Sequence, residues 1–503
     1  MVRKNVLFTG LYPMWHYHFS SELDIIQKHI ELNQNVTLLV CDGVLHACEA
    51  NPDHVLAHCL RCIGIRNHGL SLLSSRIHIL PLIDDHNTKL RTHFLNINDL
   101  KEYHVDQFDV GMAVYSSLVD YSNEVLPDPK VHAEHIKKLI TDAVDTYTSA
   151  LNYLKKNKYD LVYIFNGRYA AARAWVRACE KHGVRFRIHE RAGKHDRYTQ
   201  LENSYLHDTS IYASLINKHW DECADITSRY REASEFFEER PKGRLGTWHS
   251  FVTDQDKEIS DIQTNPELKQ YIIFSSTESE FSATEDFYKP LLFERQLEAI
   301  GRIAKYISLN LKHVRLTLRV HPNSKSDKDR WWESPSLTEI EKLIIIPPES
   351  KISSYQLLNI ANLVITLGSS IGVEATYWGK TSILFGQAYH RGIKAVYEPN
   401  DYGQLWQMLE NPPPPLPVEG ALKYGYYFRT AGEPFSNIEP VNYYTLKFKG
   451  EILEAPQTVH QWLGECERRK PVVGLRKWLQ NIGDRRRFKK LFRSCGYNNI
   501  RSC

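Results

Sequence analysis

Short apolar runs alternate with amphipathic stretches along most of the chain, and each pair reads as a strand followed by a helix. Residues 5–10 (NVLFTG) predict a strand ending in glycine, 11–18 a loop, 20–32 a helix and 35–40 a second strand. Residues 76–82 predict a further strand, and 83–128 are polar and poor in period. From 132 to 157 the apolar positions Ile136, Leu139, Ile140, Ala143, Val144, Tyr147, Ala150, Leu151 and Leu154 recur at helical spacing. Residues 159–165 (YDLVYIF) are then a buried strand, Asn166-Gly167-Arg168 a turn, 169–182 a helix, and 184–188 a strand running into His189-Glu190-Arg191. The alternation resumes at 271–275 (YIIFS) and continues with a helix over 289–309. Strands follow over 314–320, 343–346, 363–367 and 381–385, with helices over 355–361 and 371–378. Strand-helix order in both halves predicts an α/β protein of two Rossmann-like domains. Residues 254–266 break the pattern as a linker, giving a first domain over 1–265, a second over 266–430, and a crossover and tail over 431–503.

Polar residues collect where strands end, the edge at which open parallel sheets bind ligands. In 314–320 (VRLTLRV) the alternation sets Arg319 and His321 opposite Leu318 and Val320, and Pro322-Asn323 follow. A guanidinium, an imidazole and an amide thus share one strand end. In 361–386 a strand leads through Gly368-Ser369-Ser370 into a helix whose first N–H groups lack partners and suit an anion. Glu374 lies one turn on from Ser370, within reach of a sugar hydroxyl; the alternative is an ordinary capped crossover. Ser276 sits in a polar loop of the kind that meets phosphate or sugar. In the first half, Asn166, Arg168, His189, Glu190 and Arg191 end two adjacent strands. Glu190, or less directly His189, is the candidate base for an incoming hydroxyl, and Arg168 and Arg191 are candidates to hold an anionic acceptor or donor carboxylate. A structural Glu–Arg pair is the alternative. His16 and His18, in the first loop, either touch the acceptor or pack among aromatics.

The segments RVHPN (319–323) and GSSIGVEATYWGKTSILFG (368–386) resemble the donor-binding half of the bacterial capsule and lipopolysaccharide polysaccharide-synthesis glycosyltransferases, the group that includes the Kdo transferases. That family has the GT-B plan of two facing Rossmann-like domains, and the resemblance covers 271–386. It implies that His321, Ser369 and Ser370 hold a nucleotide phosphate, with Glu374 beside the nucleotide sugar; Arg319, at the same strand end as His321, is a candidate to offset charge on the leaving nucleotide. It also implies a return of the chain to the first domain within 443–463. The implied activity is transfer of a sugar from a CMP- or other nucleotide-linked donor to a glycan or lipid-linked acceptor in surface polysaccharide synthesis; cationic side chains and a helix dipole, with no Asp-x-Asp near a strand end, lead to the expectation of chemistry without a metal. A polyol-phosphate transferase, a nucleotide-sugar epimerase and a non-catalytic export or scaffold protein remain as alternatives.

Bulk properties narrow the setting. Hydrophobic content of 42% and charged content of 24% over 503 residues are those of a globular protein. No run approaches the roughly 20 apolar residues of a membrane span, and the start leads into a strand instead of a signal peptide, so a cytoplasmic location is expected. Nine cysteines without a regular array suit a reducing compartment. Cys41, Cys48, Cys59 and Cys62 do cluster, which predicts a structural zinc site, with iron–sulfur ligation or buried free thiols as alternatives. The net charge of +3 hides an asymmetry: residues 468–493 carry eleven Lys or Arg against Asp484 alone. This basic, amphipathic tail predicts contact with an anionic inner membrane surface. Nucleic-acid binding and a solvated helix are its rivals, and no nucleic-acid partner is expected.

Overall fold

A computed structural model describes residues 3–83, 90–243, 252, 255, 267–284, 292–442 and 445–455. The first sheet holds β1 (Asn5–Phe8), β2 (Asn35–Val40), β3 (His78–Pro81), β4 (Leu161–Phe165) and β5 (Phe186–Arg191), all parallel and in the order β3-β2-β1-β4-β5. β6 (Arg197–Glu202) joins β5 antiparallel. The second sheet holds β7 (Lys269–Phe274), β8 (Val314–Arg319), β9 (Leu343–Ile346), β10 (Leu363–Thr366) and β11 (Thr381–Leu384), parallel throughout in the order β9-β8-β7-β10-β11. Each is a Rossmann-like sheet. Every residue of β4, β10 and β11 is buried, because helices cover both faces of such a sheet and leave no polar side for alternation. In both sheets the strand order reverses, between β1 and β4 and between β7 and β10, which opens a crevice beyond the carboxyl ends of those strands. The two crevices share residues in one cavity, so the domains face each other in the manner of the GT-B plan.

The connecting helices explain how the facing is held. Tyr212, Ile216, Phe236 and Phe237, from the helices Tyr212–Asp221 and Ile226–Glu239, form one apolar cluster with Val373, Ile393, Tyr424 and Phe428. Both helices therefore pack on second-domain residues, well ahead of the expected boundary at 265, which lies outside the described residues. The helix Glu419–Thr430 runs against Ile226–Glu239, and Gly425 permits the approach: a Cβ there would sit 2.7 Å from the Ala233 carbonyl oxygen.

Beyond Thr430 the chain returns to the first domain. β12 (Glu433–Pro434) pairs with β6, and β13 (Ile438–Pro440), β14 (Leu446–Phe448) and β15 (Glu451–Ile452) form a small sheet. Phe448 and Leu453 bury Phe19, Leu23 and Leu60, while buried Asp24 accepts the Asn437 N–H at 2.7 Å. The return thus begins at 431–434, before the 443–463 expected, because β6 presents an open edge that the returning strand covers. The basic tail and the linker over 256–266 lie outside the described residues. Among the described residues no helix is long and apolar enough to cross a membrane.

Candidate active site

Both domains line an interdomain cavity of about 680 Å³. On the second-domain wall, His321 is the best-defined group. It follows β8, and its Nδ1 accepts the backbone N–H of Asn323 at 3.2 Å and lies 3.1 Å from Thr277 Oγ1. Burial pushes its pKa down to about 4, with Arg319 acting in the same sense. A neutral ring whose Nδ1 accepts a backbone N–H carries its proton on Nε2, so His321 is an N–H donor. Ser276 lines the same wall, its N–H held by Gln296 Oε1 at 2.8 Å, and its buried Oγ has no partner among the described residues. Ser369 and Ser370 complete the wall at the turn after β10. The helix that follows, Ile371–Tyr377, is only seven residues long, so the polar side chains of this turn matter more than its dipole.

Arg240 supplies the guanidinium of this wall, with Glu374 as its counter-charge. It extends from the end of the helix Ile226–Glu239, and its guanidinium donates to Ser370 Oγ at 3.3 Å and pairs with Glu374 Oε1 at 3.1 Å. Burial would lower the Arg240 pKa, and Glu374 more than reverses this, so the guanidinium stays charged. Its Nε has no partner among the described residues. Nothing in the local sequence marks Arg240: it ends a polar helix, 130 positions from the serine it meets.

The first-domain wall carries Glu190, His18, Arg191 and Arg168. Asn166 takes a left-handed backbone (φ 60°) at the end of β4 and donates from Nδ2 to Glu190 Oε2 at 2.8 Å. His18 Nδ1 lies 3.1 Å from Glu190 Oε1. Burial pushes the Glu190 pKa up, but His18, the Arg191 N–H and Asn166 outweigh it, so this carboxyl titrates below its ordinary value. Burial lowers the His18 pKa, Glu190 opposes the shift and Arg191 adds to it. The pair is a carboxylate beside a neutral imidazole. Arg191 packs its guanidinium 4.1 Å from the Tyr17 ring.

Several expected site residues are placed elsewhere, each for a physical reason. His189 precedes Glu190 in β5, so the strand's alternation turns it to the other face, where it is 1% exposed with Nε2 3.9 Å from Glu22. Burial takes its pKa down to about 3. Arg319 ends β8 and is long enough to reach the loop after β9, where it donates to the Pro347 and Ser350 carbonyls at 2.6 and 3.1 Å. Those bonds hold it away from the cavity, and burial lowers its pKa to about 10. Glu374 is buried, accepting from Tyr355 Oη at 2.5 Å and pairing with Arg240, so it anchors the arginine and does not line the cavity. The first helix starts at His16 instead of near 20, and two helical residues are about 200° apart. His18 consequently faces the cavity and His16 faces away. Arg168 does line it, but its Nη2 donates to Asp120 Oδ2 at 2.6 Å, so its charge is matched. Asn323 lines it too, donating to Glu280 Oε1 at 3.1 Å.

Cys41, Cys48, Cys59 and Cys62 are free thiols. Burial raises the pKa of Cys41, Cys48 and Cys62, in the last to about 12, and the neighbouring thiols push Cys48 and Cys62 the same way. Among the described residues no three His, Cys, Asp or Glu side chains are arranged to hold one ion. The expected zinc site therefore finds no support in this geometry.

No family model matches the chain, and no curated protein sequence does. Among solved structures it is similar to the beta Kdo 2,4 transferase of Thermosulfurimonas dismutans KpsC, at 12% identity over 61% of this chain and 88% of that one, with a TM-score of 0.35. It is also similar to the UDP-GlcNAc 2-epimerase from Neisseria meningitidis bound to UDP-GlcNAc, at 10% identity over 92% and 100% of the two chains (TM-score 0.28). A third is CalG4, the calicheamicin glycosyltransferase, at 12% identity over 85% and 93% (TM-score 0.25). The likeness is distant in all three.

Proposed function

We propose that the chain is a glycosyltransferase that moves a sugar from a nucleotide-sugar donor to a hydroxyl of a glycan. The observation that carries this reading is a single cavity with anion-seeking donors on one wall and a carboxylate–imidazole pair on the other. The donor phosphate lies against Arg240, Ser276, Ser369, Ser370 and the Nε2–H of His321. As the sugar–phosphate bond breaks, negative charge grows on the leaving nucleotide, and fixed donors in a half-dry cavity stabilise it without reorganising. On the opposite wall the acceptor O–H gives its proton to His18, and Glu190 stabilises the imidazolium that forms. In this reading Glu190, with its lowered pKa, orients and balances the base, and His18 takes the proton. The likeness of 319–323 and 368–386 to capsule and lipopolysaccharide transferases supports a place in surface polysaccharide synthesis, with a CMP-, UDP-, GDP- or CDP-linked donor. A lipid-linked acceptor and a membrane-associated tail fit that setting.

Incubation of the purified chain with a panel of nucleotide-sugars and glycan acceptors, followed by mass spectrometry, tests it. The expected products are free nucleotide and an acceptor heavier by one sugar, both lost in His18→Ala and His321→Ala. Sugar isomerised without an acceptor, or transferred together with phosphate, would overturn the assignment in favour of an epimerase or a polyol-phosphate transferase.

A further inference from the structure

A second chamber of about 690 Å³ adjoins the crevice, and the two share Arg168, Thr277, Glu280 and Asn323 as lining residues. Its charged groups are mainly acidic: Glu49, Asp120 and Glu280 stand against one guanidinium, Arg168. That guanidinium is already engaged, donating to Asp120 Oδ2 at 2.6 Å, Tyr169 Oη at 2.8 Å and Ser116 Oγ at 2.9 Å. His135 adds no positive charge, since burial pushes its pKa down to about 4, helped by Lys138. Glu49 is fixed by the Ser117 hydroxyl, and Glu280 by Asn323 Nδ2. Trp15 and Tyr121 add aromatic surface to its walls. Trp15 stacks on Tyr12 with ring centroids 4.7 Å apart, and Tyr121 stacks on His135 at 3.9 Å. Trp15 also stands next to His18, with ring centroids 6.1 Å apart, so a ring laid on the indole is close to the base of the first crevice.

This combination selects by charge. A carboxylate or phosphate entering the chamber meets three carboxyl groups against one guanidinium already matched, in a partly desolvated space where like charges cost several kcal/mol in the general case; burial raises the Glu49 and Glu280 pKa, so this repulsion grows as the pH rises. A sugar ring has C–H faces for the aromatics and O–H or N–H donors for the carboxylates, whose acceptor sites outnumber the donors already spent on them. We propose that the second chamber is the acceptor subsite, and that it takes a glycan end whose terminal sugar bears hydroxyls or an amine and no carboxylate or phosphate. This rests on the donor reading of the crevice and gives it an acceptor class. It also reverses the expectation of an anionic acceptor held by Arg168 and Arg191, since Asp120 balances the first and the second does not line the chamber.

The test is a calorimetric titration of the full chain with methyl glycosides of gluco, galacto and manno configuration. Each is offered in neutral, 2-amino and uronate forms, with nucleotide binding measured on the same preparation. At least one neutral or amino glycoside is expected to bind, with its uronate at least tenfold weaker. Trp15→Ala should weaken the glycoside at least tenfold while leaving nucleotide affinity unchanged, and Asp120→Asn, which frees Arg168, should narrow the uronate gap. Uronates binding equally well, glycoside binding that survives Trp15→Ala, or no glycoside binding in a chain that binds nucleotide would each overturn the acceptor assignment. Selective glycoside binding in a chain that binds no nucleotide would support the chamber's selectivity and strike the donor reading instead.

Discussion

Arg240 and Glu374 show how one side chain serves structure and site together. Glu374 is 1% exposed, and a carboxylate at such depth without its counter-charge is costly even with the Tyr355 hydroxyl donating to it, so Arg240→Ala should destabilise the fold by about 3–5 kcal/mol. Combining it with Glu374→Gln removes the orphaned charge. The double variant is expected to recover most of the stability, by denaturant titration, yet not the affinity for nucleotide; recovery of both would mean that Arg240 is purely structural. Glu22 gives a second test. Burial raises its pKa to about 8, whereas in the unfolded chain it titrates near 4.5. Between those values the native state holds a proton the unfolded state has released, so this group's contribution to stability is lost as pH rises toward 8. Glu22→Gln should therefore gain stability over the parent progressively from pH 5 to pH 8, and a constant difference across that range would contradict the assignment. Residue types and strand alternation made His321, Ser276, Glu190 and Asn166 readable as site candidates. Arg319 was misassigned because alternation gives the side a residue leaves from and not how far a flexible side chain travels.

At the level of elements, strand ends were readable and helix starts less so. The runs 159–165 and 363–367 are unmistakable because buried parallel strands are continuously apolar. The crowded segment 11–18 reads as a loop, yet the first helix begins at His16 with no side-chain cap to announce it. That shift decides which histidine reaches the cavity. The contact between Glu419–Thr430 and Ile226–Glu239 is equally silent in sequence, since it depends on Gly425 meeting a backbone oxygen of a distant helix. Gly425→Ala should cost about 1–3 kcal/mol by denaturant titration, because the Ala233 carbonyl cannot swing aside as a side chain would. A neutral result would show that these helices are free to separate.

For the whole molecule, the repeated strand-helix order gave two Rossmann-like sheets, and the equivalent strand order in both follows from right-handed crossovers. What the order along the chain does not carry is which segments stitch the domains together. Residues 212–239 precede the second sheet yet pack on helix and loop residues of the second domain, and 433–455 follow it yet complete the first domain. The interdomain cavity is thus lined by residues drawn from His18 to Ala431, and the guanidinium on its donor wall, Arg240, comes from the least marked stretch. The central claim, that this cavity grips a nucleotide's phosphate through His321, is tested most directly by calorimetric titration of CMP, CDP, UDP and GDP into the parent chain and His321→Ala. A hydrogen bond to a charged oxygen contributes about 1.5–3 kcal/mol. One of these nucleotides is expected to bind at a single site and to bind His321→Ala roughly 10- to 150-fold more weakly, with the denaturation midpoint unchanged; binding by none of them, or equal binding by the variant, would contradict the account.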